Sequence, residues 1–113
     1  MHELGLCDAL LKKVRQIADG SDLEGINSIT LEIGTLSGVI PHFMADCWEA
    51  VIDGTPFSEV RLIIHSVPGM ARCEDCGEVF EADLEHLVCP KCEGLKLTPV
   101  SGRDMTITEI EGY

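Results

Sequence analysis

The chain has 113 residues and a mass of 12.3 kDa, which fits one ordinary domain or a small domain with a smaller module, and excludes a large multidomain enzyme. Twenty acidic against eight basic residues give a formal net charge of −12, so nucleic-acid phosphates and anionic membrane surfaces would repel it. No segment approaches the roughly 20 apolar residues of a membrane span, and the first residues lack a secretory-signal pattern. We therefore expect a folded, cytoplasmic protein.

The first third of the sequence predicts a helix followed by a strand. Apolar residues recur at intervals of three and four from Leu4 to about Asp19, the period of an amphipathic helix, and Gly20 provides a stop. Residues 28–34 alternate between apolar and polar side chains, which predicts a half-buried strand. The apolar face of this strand consists of Ile29, Leu31 and Ile33.

A second helix and two more strands follow. Pro41 suits the first turn of a helix, and an apolar stripe anchored by Trp48 ends at Gly54; the stripe consists of Met44, Cys47, Trp48, Val51 and Ile52. Residues 60–67 are rich in β-branched side chains and predict a strand that ends at Pro68 and Gly69. Residues 104–111 predict a last strand, with Met105, Ile107 and Ile110 as candidates for burial. The alternation slips near Glu109, which predicts a bulge or an early strand end.

Two CxxC pairs stand in the second half of the chain, Cys73-Glu-Asp-Cys76-Gly77 and Cys89-Pro-Lys-Cys92-Glu-Gly94. Two intervening residues let both thiolates of a pair reach one ion, and a small residue after the second cysteine lets the backbone fold back towards the sulfurs. Gly77 fills that position directly, whereas Gly94 comes one position late. Four thiolates at about 2.3 Å complete a tetrahedral shell. We therefore predict a structural zinc, without which this module unfolds.

Redox pairs or an iron–sulfur site are the alternative use of these cysteines. A thioredoxin-like pair belongs at a helix N-terminus in a βαβ setting, and two pairs around a short segment do not fit that pattern. The spacer, residues 77–88, is somewhat shorter than the roughly 15–20 residues of similar zinc sites. This favours a small ribbon with apolar side chains packed beside the metal, namely Val79, Phe80, Leu84 and Leu87.

The arrangement of these elements predicts an insertion. A lone terminal strand needs a sheet to join before it can bury its apolar face, so the last strand is expected to return to the elements of the first half. We predict an α+β fold in which residues 1–68 plus 104–113 form one domain, a small mixed sheet with two helices. Residues 69–103 form an inserted zinc-ribbon module.

The chain start, Met1-His2-Glu3, is a second candidate metal site. A terminal amine, the next backbone nitrogen and the His2 imidazole can close fused chelate rings that hold nitrogen donors nearly in a plane. Square-planar nitrogen coordination suits Ni(II) or Cu(II), whereas zinc prefers a tetrahedron. Since many proteins carry a solvent-exposed histidine near the start, the spacing alone leaves both interpretations open.

The remaining reactive side chains do not predict an enzyme. His42, His65 and His86 have the settings of ordinary surface or strand residues. Cys7 and Cys47 fall on apolar helical faces and are expected to be small buried hydrophobes. Residues 34–38 are glycine-rich but lack the features of a phosphate-binding loop, and we find no nucleophile with an identifiable base.

Three features together resemble the HypA/HybF family of nickel-insertion accessory proteins: Met1-His2-Glu3, the strand and turn of residues 31–38, and the two CxxC pairs. The resemblance covers essentially the whole chain and implies a nickel-binding domain with an inserted zinc ribbon. It implies that the His2 side chain binds nickel, with backbone donors from Met1 and Glu3. The zinc ligands that it implies are Cys73, Cys76, Cys89 and Cys92.

This chain departs from the family at one position near the implied nickel site. Some members carry an acidic residue after the glycine-rich turn that can approach nickel, whereas Ile40 stands at the matching position here. Any further ligand is therefore left open, with His42 as a weak substitute.

The resemblance implies a nickel metallochaperone that binds transferable Ni(II) at its N-terminus and delivers it during NiFe-hydrogenase maturation, with a structural Zn(II). It also implies two partners, the HypB GTPase and the hydrogenase large-subunit precursor. A zinc-ribbon adaptor without transferable metal and a thiol oxidoreductase are the alternatives. An adaptor would contain zinc only, whereas a carrier would take up an additional nickel that depends on a free N-terminus.

Overall fold

A computed structural model describes residues 2–113, with side chains from Glu3 onwards, and contains two helices and two three-stranded sheets. The predicted α+β class, with two helices, small mixed sheets and a ribbon-like cysteine segment, is confirmed. In chain order the elements are α1 (His2–Asp19), β1 (Ile26–Gly34), α2 (Pro41–Ile52), β2 (Arg61–Val67), β3 (Gly69–Cys73), β4 (Val79–Ala82), β5 (Leu97–Ser101) and β6 (Met105–Gly112).

The chain divides into two compact units. Unit 1 comprises the chain up to Leu31 together with Val39–Ile64 and Ile107–Tyr113, and unit 2 comprises Glu32–Gly38 and His65–Thr106. Strands β1, β2 and β6 each contribute residues to both units. The predicted domains, residues 1–68 plus 104–113 and residues 69–103, therefore stay a prediction. Within residues 2–113, neither helix has the length and apolar character that crossing a bilayer requires.

Helices α1 and α2 pack side by side in unit 1 with the same direction. The Cys7 thiol lies 3.4 Å from the backbone oxygen of Met44, and the Glu3 carboxylate accepts a hydrogen bond from the backbone N–H of Ile40 at 3.4 Å. Both contacts join residues 37 positions apart, so the helices run parallel and their N-termini are neighbours. Trp48 is the predicted anchor: its side chain is buried, and its indole N–H donates to the Val60 carbonyl at 3.1 Å.

The first sheet has the strand order β2-β1-β6. Its central strand β1 buries the predicted apolar face, consisting of Ile29, Leu31 and Ile33. Backbone hydrogen bonds join Gly25 to Tyr113 and Gly34 to Asp104, so β1 and β6 are antiparallel. Strand β6 continues past Glu109 to Gly112, and an early strand end is therefore wrong. The candidates on β6, Met105, Ile107 and Ile110, are half-buried.

The second sheet lies entirely in unit 2 and has the order β4-β3-β5, with both pairs antiparallel. Strand β3 is central, and the register between β3 and β5 shifts after Met70, so that Val100 is the extra residue of a bulge. Proline removes a donor from a ladder and is tolerated at an edge, which explains how Pro99 fits in β5. This sheet carries the cysteine turns.

Candidate metal centres

The four cysteines of the CxxC pairs come together in unit 2. Their sulfur atoms all lie within 4.8 Å of one another. The closest pairs join the two turns, with Cys73 Sγ 3.5 Å from Cys92 Sγ and Cys76 Sγ 3.6 Å from Cys89 Sγ. A tetrahedron with metal–sulfur bonds of about 2.3 Å has edges of about 3.8 Å. The donor set and its spacing therefore fit one tetrahedral metal ion.

The two CxxC turns share one pattern of backbone hydrogen bonds. In the first turn, the N–H of Gly77 donates to the Cys73 carbonyl at 2.8 Å, and the N–H of Cys73 donates to the Glu78 carbonyl at 2.8 Å. The second turn repeats both bonds at 2.9 and 3.0 Å, from Glu93 to Cys89 and from Cys89 to Gly94. The two halves of the cluster are thus equivalent, and each contributes one buried and one exposed cysteine.

Backbone N–H groups point at the sulfurs and favour thiolates. Burial raises the pKa of the Cys89 thiol, but the backbone N–H groups of Cys92 and Lys91, together with the thiols of Cys76 and Cys92, outweigh it and lower that pKa to about 7. The N–H groups two residues beyond Cys76 and Cys92 also favour the thiolates, although burial and the neighbouring thiols leave the pKa of both raised. A divalent cation among the sulfurs would stabilise the thiolates against burial and against one another's negative charge.

Glu93 occupies the place in the second turn that Gly77 has in the first. Both residues have a left-handed backbone, with φ values of 80° for Gly77 and 62° for Glu93. Only glycine adopts this conformation without a steric cost, so the second turn is strained where the first is relaxed. Gly94 has a separate role, because a Cβ there would lie 3.2 Å from the Cys92 sulfur and 2.8 Å from an Asp75 carboxylate oxygen.

The apolar side chains of the ribbon are not packed as predicted. Val79, Leu84 and Leu87 are 47%, 56% and 42% exposed, respectively, so the expectation that they cover the metal is wrong; Phe80 is half-buried. The buried apolar residues of the sheet and its turns are small, namely Ala71, Cys73, Ala82 and Cys89. Such a small interior supplies little hydrophobic stabilisation, so a metal held by the four cysteines would contribute much of the stability of these turns.

The other predicted metal site lies at the start of α1. Met1 and the His2 side chain lie outside the described residues, so their predicted roles as nickel ligands stay predictions. Helix α1 begins at His2, two residues before the apolar periodicity does. Glu3, which the sequence offered only as a backbone donor, has a buried side chain whose carboxylate accepts from the N–H of Ile40. The sequence signal that could have indicated this role of the carboxylate is an acidic residue in the first turn of a helix.

The remaining histidines lie on the surface. His42 Nε2 is 3.4 Å from an Asp46 carboxylate oxygen one turn along α2, and His86 Nδ1 is 2.8 Å from an oxygen of Asp83. His65 is exposed on β2. These settings agree with the ordinary surface roles predicted for them.

Cys7 and Cys47 are buried in unit 1, as predicted. Burial, together with the nearby Cys47, raises the pKa of the Cys7 thiol from 9.0 to about 11. A thiol with so high a pKa is neither a nucleophile nor a ready metal ligand at neutral pH.

Comparison with known proteins gives the arrangement a family. The family model described as "Hydrogenase/urease nickel incorporation, metallochaperone, hypA" matches residues 1–112. The chain belongs to the HypA family. Hydrogenase maturation factor HypA of Streptomyces avermitilis is 32% identical over 112 residues, covering 97% of this chain and 86% of that protein. HypA 2 of Bradyrhizobium diazoefficiens is 34% identical over 111 residues and covers 98% of both chains.

Solved structures of HypA proteins share the fold. The solution structure of the Ni metallochaperone HypA from Helicobacter pylori matches with a TM-score of 0.67 at 20% identity, covering 97% of this chain and 96% of that one. A second HypA solution structure matches with a TM-score of 0.69 at 22% identity, covering 100% and 97%. The family is one of nickel metallochaperones for hydrogenase maturation, and this member has the metal-binding cysteine cluster of a zinc ribbon.

Proposed function

We propose that this HypA-family chain carries Ni(II) at its N-terminus as transferable cargo and delivers it to a hydrogenase precursor in the cytoplasm. Its membership in a family named for nickel incorporation supports this role. We further propose that the HypB GTPase and the hydrogenase large-subunit precursor are its partners. In this role the chain binds and releases an ion and catalyses no reaction of its own.

The observation that carries the proposal is that α1 begins at His2. The first N–H groups of an α-helix have no acceptor within the helix, so ligation through the backbone nitrogen of His2, the first residue of α1, would break no helical hydrogen bond. In a helix ψ is about −42°. The backbone nitrogens of two consecutive residues therefore lie on the same side of the Cα–C bond between them, where both can reach one metal ion. A five-membered chelate ring requires this placement. The Met1 amine and the His2 imidazole would complete a nitrogen-rich site suited to Ni(II).

The Glu3 carboxylate also helps to stabilise the proposed nickel site. It is buried and accepts the N–H of Ile40 at the start of α2, next to two helix N-termini. A negative charge near a helix N-terminus is favourable by about 0.3–1 kcal/mol. We propose that the carboxylate holds the first turn of α1 in place and that the backbone nitrogen of Glu3 serves as one of the nickel donors. The Ile40 side chain has no donor atom, so it contributes no ligand.

The cysteine cage has a different task. We propose that Cys73, Cys76, Cys89 and Cys92 hold Zn(II), which supplies structural stability and no chemistry, because four thiolates leave no coordination position open. Nickel at the chain start instead remains open to a competing ligand. A micromolar affinity corresponds to about −8 kcal/mol, which a better-equipped acceptor site can exceed. In this proposal zinc is retained at the cysteine cage, and nickel is delivered from the chain start.

Substitution of His2 tests the nickel site against a matched histidine. We expect His2→Ala to abolish nickel binding in a calorimetric titration, and His65→Ala, at an exposed position of β2, to leave it unchanged. Both variants should keep one zinc per chain by elemental analysis and the wild-type circular dichroism. Unchanged nickel affinity in His2→Ala would contradict the ligand assignment, and a chain that binds zinc but no nickel at all would be a zinc-ribbon adaptor.

A further inference from the structure

A groove lined by leucines opens on unit 2. Its cavity has a volume of about 250 Å³, and its lining includes Leu36, Leu84, Leu87, Leu95, Leu97 and Pro99. We call this surface the leucine groove. Leu84 and Leu95 are 56% and 74% exposed, although each would gain stability by burial. Single exposed leucines need no explanation, but a contiguous apolar cluster around a cavity marks an interaction surface.

The groove is unsuited to a small metabolite. Cavities that bind such ligands are typically about 300–1,000 Å³ and carry a few convergent polar groups that fix orientation. The leucine groove is smaller, and its lining consists of apolar side chains. It therefore fits a few apolar side chains presented by another polypeptide.

Acidic residues outnumber basic ones around the groove, although Lys96 lies between the lining residues Leu95 and Leu97. A neighbouring cavity of about 380 Å³ shares Leu87 and adds Glu81 and Glu85 to the lining, and Asp83 and Glu85 flank Leu84 in the chain. Unit 2 contains nine acidic and four basic residues, a net charge of −5. Two of the bases already face acids, with Lys91 3.9 Å from Glu78 and Arg72 3.4 Å from Glu74.

We propose that the leucine groove binds a basic amphipathic segment of a partner protein, with apolar side chains in the groove and Lys or Arg against its acidic rim. The charge argues against two other occupants. A second copy of this chain would bring one acidic surface against another, and an anionic lipid surface would be repelled. This inference does not rest on the nickel proposal, because the groove and its test involve no nickel.

The test uses a designed peptide and the zinc-loaded full chain. The probe is a helical peptide of about 14 residues, or four turns, with leucines along one face and lysines on the other. Its partner probe replaces every lysine with glutamate. Binding is measured by fluorescence anisotropy at two salt concentrations, and the contact surface is located from methyl NMR shifts.

We expect saturable binding of the lysine peptide, weakened by salt, with the largest methyl shifts at Leu84, Leu87 and Leu95. The double variant Leu84→Ser/Leu95→Ser should weaken binding about tenfold or more. The control, Val79→Ser, removes a 47% exposed apolar side chain from a position outside both cavity linings, and should bind as wild type. Zinc content and circular dichroism establish that both variants are folded.

Three results would overturn the inference. The first is a lysine peptide that does not bind, or whose shifts map away from the leucine groove. The second is equal affinity for wild type and the folded double variant. The third is a glutamate peptide that binds as tightly as the lysine peptide, which would mean that the acidic rim takes no part in binding.

Discussion

The strained second cysteine turn predicts a substitution that tightens zinc binding. Glu93 has a φ of 62° where the equivalent residue of the first turn is Gly77, with a φ of 80°. Replacing Glu93 with glycine should relieve the strain and leave the hydrogen bond from residue 93 to the Cys89 carbonyl, at 2.9 Å, intact. Gly77→Ala should have the opposite effect, since it introduces the same strain into the first turn.

The size of the effect follows from two opposing terms. A left-handed backbone costs a residue with a side chain roughly 1–2 kcal/mol, whereas glycine loses roughly 0.5–1 kcal/mol more conformational freedom on folding. With the middle of each range, about 1.5 and about 0.75 kcal/mol, the net gain for Glu93→Gly is about 0.5–1 kcal/mol. If the cysteine turns fold only with their metal, this free energy enters the zinc affinity directly, which corresponds to about two- to fivefold.

Competition with a chromophoric chelator measures the apparent zinc affinity of each variant. We expect Glu93→Gly to bind zinc about two- to fivefold more tightly than wild type, and Gly77→Ala to bind it more weakly by a similar or larger factor. Glu93→Gln is the matched control, because it removes the charge next to the cage and keeps the backbone strain. Equal tightening in Glu93→Gly and Glu93→Gln would refute the backbone argument, as would weaker binding in Glu93→Gly.

Three further predictions concern the cysteine cage and the core of unit 1. Cys73→Ala should abolish zinc binding and unfold the cysteine turns but leave the helical circular dichroism and the Trp48 fluorescence; stoichiometric zinc in this variant would contradict the ligand set. Trp48→Phe, which leaves the Val60 carbonyl without its indole donor, should cost about 1–3 kcal/mol in urea unfolding. Because the pKa of the Cys7 thiol is raised from 9.0 to about 11, the unfolded chain releases that proton first, so stability should fall across this pH window. Cys7→Ala should flatten that fall, and an unchanged slope would refute the burial argument.

The helices and the central strand were predictable because each is periodic over several turns or pleats. The apolar stripe of α2 correctly predicts that Met44 and Trp48 are buried, and the alternation in β1 correctly predicts the burial of Ile29 and Leu31. The four-cysteine cluster was predictable for a related reason: the CxxC spacing is a local geometric requirement of one shared ion. Local patterns of this kind survive without knowledge of the tertiary structure.

The features that sequence reasoning missed depend on packing between distant segments. The ribbon strands β3, β4 and β5 are four or five residues long, too short to show periodicity. The predicted cover for the metal failed because apolar composition does not say which way a side chain faces in so small a module, as Leu84 shows. The carboxylate role of Glu3 arises only because α1 and α2 run parallel and bring Ile40 beside it.

The most direct test of nickel carriage compares the chain with a free and with an acetylated N-terminal amine. Calorimetric titration of zinc-loaded protein with Ni(II) should show one site with the free amine, and acetylation should abolish that site while zinc stays bound. The affinity of the free form should fall on acidification, because the ordinary pKa values of histidine and of a terminal amine are about 6.5 and 7.7–8.0. Nickel binding that acetylation leaves intact, or that is equally tight in mildly acidic solution, would contradict a carrier site at the chain start.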